Sequence, residues 1–229
     1  MKIPQRKNMN QHPSPTIVFD IETIAQNEER LLAIAPNFEP RANLKDEAKI
    51  AADIAEKKQA YIDRAALNWK TAQVVLIGIG DGQKFSSVTG DEADVLSSFF
   101  AILDGQLEAG TSCGGHNVCG FDLPMLVNRA RALNVPVPRA IFKMRNGRVQ
   151  WHDGIFDTLD YFSFGKAQNI EGNGVDDVAR ALGLPPKTAS GSQFGNMWKN
   201  DRQAALDYNK NDVQIEIAIA KACGFKFNA

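Results

Sequence analysis

Apolar residues in this chain alternate with polar ones in some stretches and recur every three to four positions in others, and each change of period marks an element. "TIVFDIET" at 16–23 is a β-branched and aromatic run with alternation, and "QVVLIGIG" at 73–80 is apolar enough for a strand covered on both faces. Asp81-Gly82 then offers a tight turn into "QKFSSVT" at 83–89, so a third strand should run antiparallel to the second. Helical spacing follows in "DEADVLSSFFAILDG", with Asp91 as N-cap and Gly105 as the stop. "GTSCGGHN" predicts a short strand, and "LPMLVNRARALNV" a helix that tolerates Pro124 in its first turn. Asn146-Gly147 predicts a hairpin turn ahead of the apolar stretch "VQWHDGIFDTLDYF".

In the last third, "VDDVARALGLPP" predicts a helix stopped by Gly183 and two prolines, and "KTASGSQFGNMW" reads as a Gly/Ser-rich loop. A final helix begins with Asn200 and Gln203 spaced as a capping box and stops at Gly224. Val213, Ile215, Ile217 and Ile219 are its expected contacts with a sheet. Strands first, then strands mixed with helices, predict an α/β domain with a mixed sheet flanked by helices. Residues 27–70 break the pattern: rich in Ala, Lys and Glu, they are too long for a bare loop. They predict a helical insertion between the first two strands, two helices broken around Pro36 and Pro40. Both charge signs at helical spacing fit a solvated or self-packing pair; a lid over the first strand, or a contact with a partner or a second copy, is the alternative. Residues 1–15 are polar and proline-bearing and read as a flexible lead, leaving 16–229 as one domain.

With 229 residues and 44% hydrophobic content the chain can bury a sizeable core. Twenty-six basic against 27 acidic residues give a net charge of -1, which argues against gripping duplex DNA through bulk counterion release. A polyanionic substrate would have to be met locally. No apolar run reaches about 18 residues, so no membrane span is expected. Cys113, Cys119 and Cys223 are odd in number and lack paired spacing, which favours thiols in a cytoplasm over disulfides or a structural zinc.

Three short patterns carry chemistry. Asp20 and Glu22 stand two apart on the first strand, so their carboxylates leave one face and can share a divalent ion; two solvated acids at a strand end would look the same. In "HNVCGFD", Asn117 precedes the pair Phe121-Asp122 by four residues at a strand-to-helix junction, where Asp122 also suits an N-cap. Tyr208 and Asp212 lie one turn apart on one face of the last helix, where a packing tyrosine beside a solvated acid is the plain alternative. Each pattern is weak alone; the three in this order, on a strand, a junction and a helix, are not.

Together D-I-E-T at 20–23, N-V-C-G-F-D at 117–122 and Y-N-K-N-D at 208–212 resemble the three motifs of the DEDDy 3'-5' exonucleases, DnaQ-like enzymes on a ribonuclease-H-like fold. The likeness is closest to stand-alone predicted exonucleases related to the proofreading domain of family B DNA polymerases. Where a histidine subgroup carries His five residues before the last acid, this chain has Asp207, which indicates the tyrosine subgroup.

The resemblance implies two divalent ions, Mg2+ or Mn2+, held by Asp20, Glu22, Asp122 and Asp212. Asp20 would bridge both, Glu22 and Asp212 would complete the site of the ion that acidifies water, and Asp122 would act mainly through water. Tyr208 would orient the attacking water, since a phenol of ordinary pKa near 10 is a poor base at neutral pH. The implied activity is removal of nucleotides from 3' ends of single-stranded DNA in repair or replication. The alternatives are an exoribonuclease and a non-catalytic interaction module. Thr23, Asn117 and Phe121 match positions that touch terminal nucleotides, although Phe121 equally fits a buried anchor. Lys187 resembles a phosphate-contacting lysine, with plain solvation as its default. His116 and His152 read as structural, and either Asp157 or Asp160 as a support to the site.

Overall fold

The structure is a computed structural model and describes residues 15–163, 172–185, 187 and 190–228; nearly all of the polar lead at 1–15 lies outside these. A five-stranded sheet in the order β3-β2-β1-β4-β7 forms its centre. β1 (Thr16–Ala25) pairs antiparallel with β2 (Ala72–Gly80), and β2 pairs antiparallel with β3 (Phe85–Thr89) across Gly82 at φ 91°. On its other side β1 pairs parallel with β4 (Ser112–Gly115), which pairs parallel with β7 (Ile155–Asp157). This is the mixed, helix-flanked sheet that the strand pattern predicts. β3 starts two residues later than expected, because Asp81 accepts the amides of Gln83 and Lys84 and holds them in the turn.

Alternation in β1 sorts the two layers. Ile17, Phe19 and Ile21 point into a core built with α3 (Glu92–Glu108) and α4 (Asp122–Ala132). Val18 faces the opposite layer, where α8 (Arg202–Ala222) crosses the sheet. That crossing is close because β2 offers no side chain at two points. A Cβ on Gly78 would lie 2.0 Å from Asn209 Oδ1, and one on Gly80 would lie 2.7 Å from Ile217 Cδ1.

Several predicted details differ. Gly105 does not stop α3, which runs to Glu108; the chain turns at Gly110, whose φ is 78°. "GSQFGNMW" is not loop: Gly191–Asn200 forms α7, opened by a capping box of Ser190 and Gln193. Its buried Phe194 and Trp198 show the helical spacing that its glycines and serines obscured. The cap of α8 is accordingly Asp201, accepting from the Ala204 amide, and not Asn200. Only part of the apolar run of α8 meets the sheet. Val213 and Ile217 pack with Val18 and Phe156, while Ile215 and Ile219 turn to Val178 and Ala179 of α6 (Val175–Ala181).

Between β1 and β2 the chain forms α1 (Glu28–Ala33), α2 (Glu47–Asp63) and a 3-10 turn at Ala65–Leu67. The turn is tied to the sheet, since Thr23 Oγ1 donates to Ala66 O at 2.7 Å. Beyond α4, β5 (Phe142–Arg145) and β6 (Arg148–Trp151) form the hairpin expected at Asn146-Gly147, with φ of 52° and 72° there. α5 (Thr158–Ser163) continues directly from β7. All three cysteines are free thiols, and no described helix is long and apolar enough to cross a membrane.

Candidate active site

Where α8 crosses β1, acids from two distant parts of the chain converge: carboxylate oxygens of Asp20, Glu22 and Asp212 lie within 4.8 Å of one another. Strand alternation puts Asp20 and Glu22 on one face. The register slip between Glu22 and Thr23 then changes the pairing with β2 immediately after them. Asp122 is the first residue of α4, not its N-cap, a position held by Phe121. Its Oδ1 instead accepts the amide of Ile21 at 3.1 Å, which fixes it to the backbone between Asp20 and Glu22 but outside the tight group of three.

Burial sets the electrostatics. Glu22 and Asp122 are removed from water, and their pKa values rise to about 8 and about 7; Asp212 adds repulsion at Glu22, and the Ile21 amide partly offsets the rise at Asp122. Asp20 is raised well above the carboxylate range, first by burial and then by Glu216 and Glu22. Asp212 is raised as well, burial outweighing the ammonium of Lys187. Asp212 Oδ1 is buried and has no hydrogen-bond partner among the described residues. Crowded anionic oxygens, one of them orphaned, match what a hard divalent cation binds.

This electrostatic strain has a measurable sign. Below about pH 3 Glu22 and Asp122 are protonated folded and unfolded alike; above it the unfolded chain ionises around 4.5 and 3.8 while the folded chain holds its protons to about 8 and 7. The folded state therefore binds more protons across that window, and stability falls as pH rises. In chelator the melting temperature should drop steadily from pH 5 to 8, and Mg2+ or Mn2+ should raise it more at pH 8 than at pH 6. A profile that is flat with and without metal would contradict this.

The remaining predicted residues sort by contact. Tyr208 is buried against Phe194, Trp198 and Leu76, and its hydroxyl pKa is raised by burial and then by Asp212 and Glu22, so it stays a phenol. Lys187 is not simply solvated: its Nζ binds Asp212 Oδ2 at 2.8 Å, and although burial opposes its charge, Asp212 together with Asp20 and Glu216 raises its pKa. Thr23 spends its hydroxyl proton on Ala66. Asn117 takes a left-handed φ of 64° in the loop before α4. That loop is held by Asp157, which accepts the amides of Asn117 at 2.7 Å and Cys119 at 2.9 Å. Phe121 is half-buried, one edge on the core. His116 is structural, its ring nitrogens 2.9 Å from Thr158 Oγ1 and 2.7 Å from Asn173 O; His152 accepts the Gly154 amide.

Two residues of α8 escaped the sequence reading. Asn209, fully buried, donates to Asp20 Oδ2 at 2.9 Å and lies 3.5 Å from Glu22 Oε1, so its amide bridges the two strand acids. Glu216, one turn after Asp212, accepts the His116 amide at 3.2 Å, and burial raises its pKa strongly. Both had a signal. Glu216 interrupts the apolar run from Val213 to Ile219, and Asn209, Asp212, Val213 and Glu216 follow the spacing of one helical face.

A family described as "Predicted 3'-5' exonuclease related to the exonuclease domain of PolB" matches residues 65–215, two thirds of the chain. The chain belongs to this family. The match takes in Asp122, Tyr208 and Asp212, whereas Asp20 and Glu22 lie before it and join the exonuclease through β1, paired between β2 and β4. Among solved structures, the family B DNA polymerase of the hyperthermophilic archaeon Pyrobaculum calidifontis is similar in fold, with a TM-score of 0.58 and 18% identity. The alignment covers 90% of the exonuclease but only 24% of the polymerase chain. No curated protein matches the chain in sequence.

Proposed function

We propose that the protein is a DEDDy exonuclease that uses two divalent ions, Mg2+ or Mn2+, to remove nucleotides from the 3' end of single-stranded DNA. It would act in the cytoplasm, in repair or replication, where its cysteines stay reduced. The observation that carries this reading is the convergence of Asp20, Glu22 and Asp212 within 4.8 Å, with Asp122 pinned beside them.

Asp20, Glu22 and Asp212 would hold one ion directly, and Asp122, tied to Ile21, would act on the second mainly through water. Bound, the ions supply a deprotonated water at neutral pH and charge neutralisation on the leaving 3' oxygen. The chain's own task is placement. Asn209 fixes the side chains of Asp20 and Glu22, and Asp157 fixes the loop that ends in Asp122. Tyr208, kept protonated, would offer its hydroxyl to the attacking water as a hydrogen-bond partner and not as a base. Lys187 would neutralise Asp212 in the resting protein and could turn to a phosphate oxygen once a cation takes over that role.

The test is incubation of 5'-labelled and 3'-labelled DNA and RNA oligonucleotides with Mg2+, Mn2+ or chelator. A 5'-labelled DNA strand should shorten as a ladder and a 3'-labelled one should release mononucleotide at once, with neither event in chelator. Shortening from the 5' end, internal cuts, or activity undiminished by chelator would overturn the reading. Faster loss of the RNA strand would make the enzyme an exoribonuclease.

A further inference from the structure

A groove of about 920 Å3 runs between the insertion and the start of α4. The insertion contributes Phe38, Tyr61, Arg64 and Trp69, and the α4 side contributes Phe121 and Asn128. Phe121 immediately precedes Asp122, and the hydrogen bond of Thr23 to Ala66 ties the groove's 3-10 wall to the residue after Glu22. Chain neighbours of Asp122 and Glu22 thus stand at the edge of the groove, although none of the four acids lines it.

The walls differ in rigidity. Tyr61 is anchored, its hydroxyl donating to Leu31 O at 3.0 Å and its ring 5.6 Å from that of Phe38. Lys57 is already committed to Asp53 at 2.9 Å. Trp69 is 38% exposed although it is the largest aromatic on this wall, and Arg64 is exposed beside it. A large exposed ring and a cation along a groove edged by chain neighbours of the acids suit unpaired bases and their backbone, because every base has a face to stack. The volume falls within the range of about 300–1,000 Å3 typical of small-ligand sites, enough for a few nucleotides.

We propose that this groove is the path of the substrate strand, holding the nucleotides next to the one removed, with bases stacked on Trp69 and Phe121 and the backbone passing Arg64. The proposal rests on the exonuclease reading. It assigns the insertion a substrate role, that of sorting single strands from duplexes by requiring unpaired bases.

Binding tests it without turnover. Fluorescence anisotropy would be measured with labelled thymidine octanucleotide, thymidine dinucleotide, the RNA counterpart of the octanucleotide and a blunt duplex, on full-length protein carrying Glu22→Gln so that strands are not cut. The octanucleotide should bind more tightly than the dinucleotide and the duplex. Trp69→Ala and Arg64→Ala should each weaken octanucleotide binding about tenfold and shrink its advantage over the dinucleotide, while Trp69→Phe keeps most of it. Unchanged melting temperatures separate this from misfolding. Equal octanucleotide affinity in the parent and Trp69→Ala proteins, or the same fold-loss for both lengths, would overturn the proposal. The RNA arm shows whether the groove reads the sugar. Strand binding that depends on Trp69, without any 3' laddering by the unmodified enzyme, would instead remove the exonuclease reading and leave the groove standing.

Discussion

Glu22→Gln is expected to abolish hydrolysis while making the metal-free protein more stable. The change keeps the side chain's size and removes a charge that the fold tolerates poorly, since burial and Asp212 hold the Glu22 pKa near 8. Activity in Mg2+ should fall by more than the roughly 10–100-fold typical of losing an outer-shell partner, because Glu22 is proposed to hold the ion directly. In chelator at pH 8 the melting temperature should rise, by about 2–4 °C per kcal/mol of relieved repulsion, and its decline with pH should be shallower. Calorimetry with and without Mg2+ reads both effects. A variant less stable than the parent in chelator would mean that Glu22 is held by favourable contacts and not by the need for a cation. The expected opposition of stability and turnover is common where a site is built from like charges.

Gly78→Ala should damage fold and site together. The new Cβ would stand 2.0 Å from Asn209 Oδ1, 2.9 Å from its Cγ and 3.0 Å from Val213 Cγ2. Asn209 has no exposed surface into which to move, so α8 must shift away from β2. Overpacking of this kind costs about 1–3 kcal/mol, and a displacement near 1 Å at a reacting centre costs on the order of a hundredfold in rate. Asn209 and Asp212 ride on the same helix, so turnover should fall further than stability alone explains. Gly105→Ala is the matched control: that glycine lies in the exposed surface of α3 with nothing within 4 Å of a Cβ, and alanine there should stabilise by up to about 1 kcal/mol. If Gly78→Ala melts like the parent and retains full activity, the close approach of α8 is not what positions the acids.

Much of this architecture is legible in local patterns because local physics dictates it. Alternation from Ile17 to Glu22 separates core from site face before any tertiary contact is known, and the Asp81-Gly82 and Asn146-Gly147 turns need residues that accept φ above zero. What the patterns hide depends on partners. Gly105 looks like a stop only until Leu107 is seen buried against the core. The glycines and serines of α7 outvote its two buried aromatics when propensity is read alone. In the candidate site, Asp20, Glu22, Asp122 and Asp212 stand out by motif spacing, while Asn209 and Glu216 matter through contacts 187 and 100 residues away. Lys187 shows the same limit: nothing around it in sequence announces that its ammonium meets Asp212.

The bridge between Asn209 and Asp20 spans 189 residues, nearly the length of the chain. Translation makes β1 well before α8, so until α8 is made the acids of β1 lack Asp212 and Asn209. Nuclease chemistry has no centre in that nascent state. A chain that stalls before α8 is complete should therefore lack the three-acid cluster while keeping the residues of the proposed strand groove.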